Sequence, residues 1–334
     1  MRERLVHRDP AHGRRVLADG SRLPARHVSL PNPDPNSPAD SEAPQLTVDA
    51  SGRARITWLQ ATDADAALRV NTTVIDAAGA PDVVHTLIPP GENIDSLGAG
   101  ANDAGAGVIA WSDDGGLEAW YLDANGAAVN VGTLRPAAAD HFQAAPTIAV
   151  DAAGIATIAW NDVAIGAART TVEARRLGPT GPPGTLHELD TWSQTINQPV
   201  AVDVHPASGR ATIVWTHFQD AGFAPESVRG AHLGANDVLE PLPQAVAFDE
   251  AGDPDVVAAR IPAGAAPEPE TTLAADITAP TSPAVVADRD GSALVAFSYG
   301  DGGDDFVRAA HFDGEPPVVS RFGAPARGLV GQEL

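Results

Sequence analysis

The chain contains no cysteine and no lysine. Without cysteine it can form neither disulfides nor thiolate metal sites. All cationic side chains other than histidine are therefore arginines, and 44 acidic residues against 21 arginines give a formal net charge of −23. A surface of this sign repels nucleic acids and anionic membranes, because both are normally bound by clustered basic groups. The composition therefore leaves neutral or cationic ligands.

Long apolar runs are also missing. No stretch reaches the 18 or so consecutive apolar residues of a membrane span, so we predict no membrane insertion. The first residues, Met1 to His7, carry three charges and lack the apolar segment of a signal peptide. The sequence as given therefore predicts no export signal of its own.

A repeated unit dominates what is present. Four copies begin at a proline and end at an aromatic residue: 44–58, 146–160, 199–215 and 283–297. Two weaker copies span 102–111 and 249–258. In every copy a glycine stands six residues before the last position, at Gly52, Gly105, Gly154, Gly209, Gly252 and Gly291. Internal repetition at this spacing indicates one structural unit used six times.

The unit predicts a hairpin with one graded face. Asp-x-x-Gly between alternating runs is typical of a tight turn, since Asp bonds nearby backbone and Gly accepts a positive φ. Beyond the glycine, the second, fourth and sixth residues share one face of a strand. They read small, branched, aromatic, as in Ala156, Ile158 and Trp160. This gradient suits a wedge-shaped space between sheets that fan around an axis.

A third and a fourth strand follow in each copy, for example 172–177 and 129–134. Four antiparallel strands in each repeat predict the blades of a β-propeller. The unit Pro-x-hydrophobic-x-Val-Asp-x-x-Gly-x-Ala-x-Ile-x-Trp resembles the loosely repeated blades of secreted bacterial β-propeller proteins over roughly residues 44–325. That resemblance implies a location outside the cell or at the cell surface for the complete protein.

We predict an all-β fold of six to seven four-stranded blades, in one domain overall. Residues 44–334 hold the six repeats, and residues 1–43 hold a partial N-terminal blade and a linker. Whether this partial blade makes a seventh, or the start of the chain is truncated, stays open. The fifth repeat is the weakest, because a Pro/Ala/Glu segment at 262–270 stands where a third strand belongs.

Aspartates gather where second strands lead into third strands. They are Asp63, Asp65, Asp113, Asp114, Asp162, Asp220, Asp301, Asp304 and Asp305. Oxygen ligands suit Ca²⁺, so Asp301, Asp304 and Asp305 form the best metal candidate. Their spacing does not match the ordered D-x-D-x-D-G loop, and a solvated turn is the competing interpretation. No other cofactor is predicted.

Ligand binding is predicted on the face that carries these connections. His141, Phe142 and Trp192 lie in segments that join blades, and His217 ends a second strand. An exposed Trp192 would stack on a sugar ring, whereas packing against the next blade is its structural alternative. His232 and His311 occupy a position held elsewhere by Tyr121 and Arg176, which favours a structural role.

Catalytic signatures are missing from the sequence. It has no G-x-S-x-G motif, no phosphate-binding loop and no zinc-protease motif. We therefore expect a non-enzymatic, monomeric module that binds a protein or a glycan. A glycan-active hydrolase or lyase that uses loop carboxylates is the first alternative. A structural segment of a larger surface repeat protein is the second.

Overall fold

The structure is a computed structural model of the chain. Residues 41–241 are described apart from 62–67, 77, 79, 81, 83, 93, 115, 194, 196–199, 207 and 219–224. Outside that span the described residues are those of the strands given below. Among all of these residues, no helix is long and apolar enough to cross a membrane.

The described strands form antiparallel sheets in chain order. β1 (His12–Gly13) pairs with β2 (Arg26–His27). Blade 1 contains β3 (Ser41–Val48), β4 (Ala54–Ala61), β5 (Leu68–Ile75) and β6 (His85–Glu92). Blade 2 contains β7 (Ile94–Ala101), β8 (Gly107–Asp113), β9 (Gly116–Leu122) and β10 (Ala128–Arg135). Blade 3 contains β11 (His141–Val150), β12 (Ala156–Ala164), β13 (Arg169–Leu177) and β14 (His187–Trp192).

The later sheets continue the same pattern. Blade 4 contains β15 (Val200–Val204), β16 (Ala211–Phe218), β17 (Pro225–Leu233) and β18 (Leu239–Pro241), and β19 (Val246–Ala247) also pairs with β17. Blade 5 is described as two strands, β20 (Val256–Ala258) and β21 (Thr271–Ala274). Blade 6 contains β22 (Thr278–Ala287), β23 (Ala293–Asp301), β24 (Asp304–Phe312) and β25 (Val318–Phe322).

The first strands of the four-stranded sheets lie beside one another. β3 contacts β7, β7 contacts β11, β11 contacts β15, and β15 contacts β22. Two glycines of β7 allow close approach to β11, because a Cβ at Gly98 would collide with the carbonyl oxygen of Pro146. At Gly100 a Cβ would lie 2.5 Å from the carbonyl oxygen of Ile148. Four-stranded blades arranged around their first strands form a β-propeller, as predicted.

The repeated turns take the predicted conformation. Gly52, Gly105, Gly154 and Gly209 have φ between +65° and +84°. In blade 1 the Asp49 Oδ1 atom accepts hydrogen bonds from the backbone N–H groups of Ser51 and Arg53. Side-chain acceptors of this kind satisfy the turn's donors locally, which is why the Asp and the Gly recur together.

The graded faces of blades 3 and 4 each pack on the blade before them. Ala156, Ile158 and Trp160 of blade 3 share a buried cluster with Val108, Ala110, Leu117, Ala119 and Leu134 of blade 2. Ala211, Ile213 and Trp215 of blade 4 share another with Ala159, Val172, Ala174 and Trp192 of blade 3. These two junctions are therefore closed by the residues that the repeat specifies.

The turns between first and second strands also link successive blades. Ala50 N donates to the carbonyl of Asp103 at 3.0 Å, and Ala152 N donates to the carbonyl of Pro206 at 3.2 Å. Between these two junctions, Asn102 Nδ2 donates to the carbonyl of Asp151 at 3.0 Å. We call the side of the molecule that bears these turns, and those between third and fourth strands, the hairpin face.

Candidate functional site

The opposite side is the loop face, where second strands lead into third strands and fourth strands lead into the next blade. On this side, two polar clusters lie in the junctions between blades 2 and 3 and between blades 3 and 4. They contain the predicted residues His141, Trp192 and His217. Both clusters are built from side chains at equivalent positions of the repeat.

Asp162 is the centre of the cluster between blades 2 and 3. Although its position in the sequence predicted a loop residue, it lies within β12 and is only 2% exposed. Its carboxylate accepts from Gln143 Nε2 at 2.7 Å and from Arg135 Nη2 at 3.3 Å, and His141 Nδ1 lies 3.0 Å away. Because these partners come from β10 and β11, the carboxylate joins two blades.

Glu173 completes this cluster from β13, directly opposite Trp160 of β12. It is 1% exposed, accepts from Trp160 Nε1 at 3.0 Å, and has Arg135 Nη2 at 3.6 Å. Burial raises the pKa of Glu173 to about 7, with the neighbouring carboxylates of Asp162 and Glu188 adding to this and Arg135 opposing it. Around neutral pH, Glu173 is therefore close to its titration midpoint.

Asp190 of β14 is the centre of the second cluster, between blades 3 and 4. Its Oδ2 atom accepts from Trp215 Nε1 at 2.7 Å and lies 2.8 Å from His217 Nδ1. Its Oδ1 atom accepts from Arg229 Nη1 at 3.0 Å. The Trp192 ring stands edge to face on the His217 ring, with the centroids 5.9 Å apart.

The two clusters use the same repeat positions, but the charges at those positions have opposite signs. Arg135 pairs with Leu117 in blade 2 as Asp190 pairs with Val172 in blade 3, so both stand at the same position of a fourth strand. In the following blade, the residue opposite the tryptophan is Glu173 in one case and Arg229 in the other. One cation thus faces two carboxylates, and one carboxylate faces Arg229 and His217.

The structure corrects one predicted binding residue and explains two others. Trp192 is only 1% exposed, so the expectation of an exposed platform for a sugar is wrong, and the packing alternative describes its position. His141 lies against the carboxylate of Asp162 in its own blade, and His217 lies against that of Asp190 in the preceding blade. Phe142 is half-buried and pairs with Val163 in the sheet. A ligand-binding role for these four residues stays a prediction.

Sequence reasoning missed Arg135, Glu173, Asp190 and Arg229. Aligning the repeats with one another could have found them, because Glu173 and Arg229 occupy the same repeat position and carry opposite charges. Nothing in a single blade shows that the fourth strand of the preceding blade supplies the countercharge. That partnership exists only after the blades are stacked.

The predicted metal residues fall at a tight hairpin. Asp301 ends β23, Asp304 begins β24, and the two residues pair across the ladder, as Gly300 does with Asp305. The side chains of all three aspartates lie outside the described residues, so the calcium site stays a prediction. Among the residues whose side chains the structure describes, no group of three or more potential metal ligands is found.

Titration of Glu173 predicts a pH-dependent stability. Because its pKa is about 7 in the fold and near 4.5 in the unfolded chain, the folded state binds more protons between these values. We therefore expect the free energy of unfolding to fall by roughly 3 kcal/mol as the pH rises from about 4.5 to 7. Urea titrations of wild-type protein and Glu173→Gln at several pH values measure this, and the variant should lose that part of the slope. An equal slope in both proteins would contradict the assignment.

Comparisons with known proteins show likeness in fold only. No protein-family model and no curated protein sequence matches the chain. A protein of unknown function from Dyadobacter fermentans DSM 18053 is 10% identical with a TM-score of 0.49, covering 93% of this chain and 86% of that one. The β-propeller domain of the Trilobed protease from Pyrococcus furiosus is 11% identical with a TM-score of 0.43, covering 86% and 83%.

A third similar structure is the α-L-arabinanase of Penicillium chrysogenum complexed with arabinobiose. It is 12% identical with a TM-score of 0.39, and the match covers 84% of this chain and 92% of that one. With identities near 10% and TM-scores below 0.5, these likenesses carry no argument about ligand or reaction. The site must be interpreted from its own geometry.

Proposed function

We propose that the chain is a non-enzymatic β-propeller module that binds a protein ligand through its loop face. This proposal rests on one observation: the buried carboxylates of the loop face are already bound by side chains of the scaffold. Asp162 and Glu173 are held by Arg135 of the preceding blade, with His141 and Trp160 of their own blade as further partners. Asp190 is held by His217 and Arg229 of the following blade. These groups stabilise the scaffold, which leaves the surrounding connections to vary with the ligand.

The described connections offer an acidic surface with an exposed apolar residue. Ile165, in the turn between β12 and β13, is 59% exposed, and its N–H donates to the carbonyl of Asp140 at 2.8 Å. Asp114 and Asp140 are exposed beside the same face, and the whole chain carries 23 excess negative charges. A basic protein surface with apolar side chains complements this combination.

A protein ligand is favoured over a glycan by the aromatic residues. No aromatic side chain that the structure describes is exposed, and Trp120 and Phe142 are the half-buried ones. Sugar rings are commonly held by stacking on an open aromatic face, which this part of the chain does not provide. Trp192, the residue that the sequence suggested for this role, is buried.

A glycan-active hydrolase is the alternative that one observation favours. Asp162 Oδ2 and Glu173 Oε1 lie 3.3 and 3.6 Å from the same Arg135 Nη2 atom. Their separation is therefore at most about 7 Å, a bound that admits the spacing of about 5 Å found in retaining glycosidases. Release of reducing ends from polysaccharides by wild-type protein, with loss of that release in Glu173→Gln, would establish this alternative and end the proposal.

The remaining features of the proposal come from the repeat and the composition. The DxxGxAxIxW-type unit resembles secreted bacterial propeller proteins, so we place the complete protein outside the cell or at its surface. Charge repulsion between chains of net charge −23 favours a monomer. Size-exclusion chromatography with light scattering tests the monomer directly.

The binding test uses a synthetic peptide of alternating leucine and lysine and its leucine–glutamate counterpart. We expect the full chain to bind the basic peptide and not the acidic one in isothermal titration calorimetry. Ile165→Ser should weaken this binding several-fold, whereas Val238→Ser, an equally exposed aliphatic position on the hairpin face, should leave it unchanged. Equal loss in both variants, or no binding of the basic peptide, would contradict a ligand site on the loop face.

A further inference from the structure

Two junctions on the hairpin face share an aspartate, a turn glycine and an alanine at equivalent positions. Between blades 1 and 2, Asp49 lies against Gly105, and Ala124 lines the same space. Between blades 3 and 4, Asp151 lies against Gly209, and Ala235 lines the space. In both places a Cβ on the glycine would stand about 3 Å from the aspartate Oδ2 atom, at 3.0 Å from Asp49 and 2.8 Å from Asp151.

Each junction also contains one buried arginine that holds the next blade. Arg55 Nη2 donates to the carbonyl oxygens of Gly105 and Asp123, at 3.2 and 2.8 Å. Arg176 Nη2 donates to the carbonyl oxygens of Gly209 and Leu233. The two arginines donate to similar carbonyl groups from different positions: Arg55 lies in β4, whereas Arg176 lies in β13 opposite Thr157, which stands at the position of Arg55. Arg176 is also attracted electrostatically by Asp151.

The two junctions also differ in the residue that follows the turn glycine of blades 1 and 3. In blade 1 it is Arg53, whose Nε donates to Asp49 Oδ2 at 2.8 Å. Burial alone would raise the pKa of Asp49, but hydrogen bonds from Ser51 and Arg53 hold it at about 2. The space left between blades 1 and 2 is a cavity of only about 10 Å³.

In blade 3 the corresponding residue is Ile155. Its backbone N–H donates to Asp151 Oδ1 at 2.8 Å, as Arg53 N–H does to Asp49, but no guanidinium follows. Among the described residues, no arginine or histidine forms an ion pair with Asp151, which is only 3% exposed. The cavity here is about 450 Å³ and opens on the hairpin face. This volume suits a small ligand or one long side chain.

We propose that this cavity, lined by Asp151, Arg176, Ser208 and Gly209, binds a guanidinium group of a ligand on Asp151 Oδ2. The repeat itself supplies the template, since Arg53 places that group on the equivalent oxygen in blade 1. Two guanidinium groups are tolerated there, because Arg53 and Arg55 line one cavity. The negative field of the whole chain attracts such a cation.

The first test compares two probes of one shape. We expect Nα-acetyl-L-arginine methylamide to bind the full chain in isothermal titration calorimetry, and the uncharged citrulline counterpart to bind about 10- to 100-fold more weakly, as the loss of a charge-assisted hydrogen bond implies. Asp151→Asn should cause the same loss. Blade 2 shows that Asn fits this turn, because Asn102 Oδ1 accepts from the N–H groups of Ala104 and Ala106. Equal binding of both probes would overturn the proposal.

Two further variants test the site through the number of arginine probes bound per chain. Ile155→Arg supplies the internal guanidinium and should abolish binding of the arginine probe while the thermal midpoint stays or rises. Arg53→Ala should open the junction between blades 1 and 2 and change the stoichiometry from one probe per chain to two. A folded Ile155→Arg protein that binds as wild type does would place the probe elsewhere and end the proposal.

The source of the guanidinium is distinguished by two more ligands. Agmatine represents a free small molecule, and a capped Ala-Arg-Ala peptide represents the side chain of a protein. Tighter binding of the peptide supports a protein partner on the hairpin face, and binding of agmatine at least as tight supports a small-molecule ligand. Both outcomes require Asp151, and neither depends on Ile165 or on the proposed ligand site of the loop face.

Discussion

Replacing Trp160 by alanine is expected to lower the free energy of unfolding by about 3–5 kcal/mol. The ring is fully buried in the cluster that joins blade 3 to blade 2. Its loss opens a cavity between two blades and also removes the Nε1 donor from Glu173. Urea denaturation followed by circular dichroism measures the change through the shift of the midpoint.

Trp160→Phe is the matched control for this substitution. Phe297 fills the same position of the repeat in the last copy, so a phenyl ring is compatible with the unit. We expect this variant to cost about 1–2 kcal/mol, because it keeps most of the packing and loses the hydrogen bond. If alanine and phenylalanine at position 160 had equal and small effects, burial between blades would not be the role of the ring.

Asp190→Ala is expected to cost about 3 kcal/mol, because it leaves the donors of Trp215, His217 and Arg229 without their common acceptor. Glu188→Ala, at an exposed position of the same strand, should change the free energy of unfolding by less than about 0.5 kcal/mol. The same urea titrations compare the two variants. A similar small effect of both would mean that Asp190 does not hold blades 3 and 4 together.

The sequence predicted the architecture because the repeat specifies it locally. The turn between first and second strands needs a positive φ at Gly154 and its equivalents, and the graded face ending at Trp160 fixes which side of the strand is buried. Both requirements act within one blade, so they recur with a constant spacing. An all-β fold of four-stranded blades follows from them, and that prediction is confirmed. The domain boundary at residue 43 stays a prediction.

The polar sites were not predictable in the same way, because they depend on contacts between blades. Asp162 looked like one of several loop aspartates, yet its partners come from β10 and β11. Trp192 looked available for a ligand until blade 4 covered it. The open space beside Asp151 lies in the blade where Ile155 stands at the position of Arg53 in blade 1. This difference in open space is visible only when the two junctions are compared in the folded protein.

Matched polar contacts join blade 3 to blade 4, and a double-mutant cycle between Asp190 and Arg229 measures one of them. We expect Asp190→Ala and Arg229→Ala to be non-additive in the free energy of unfolding, with a coupling of about 1–3 kcal/mol. Strict additivity of the two substitutions would show that these side chains do not meet and would contradict the stacking described above.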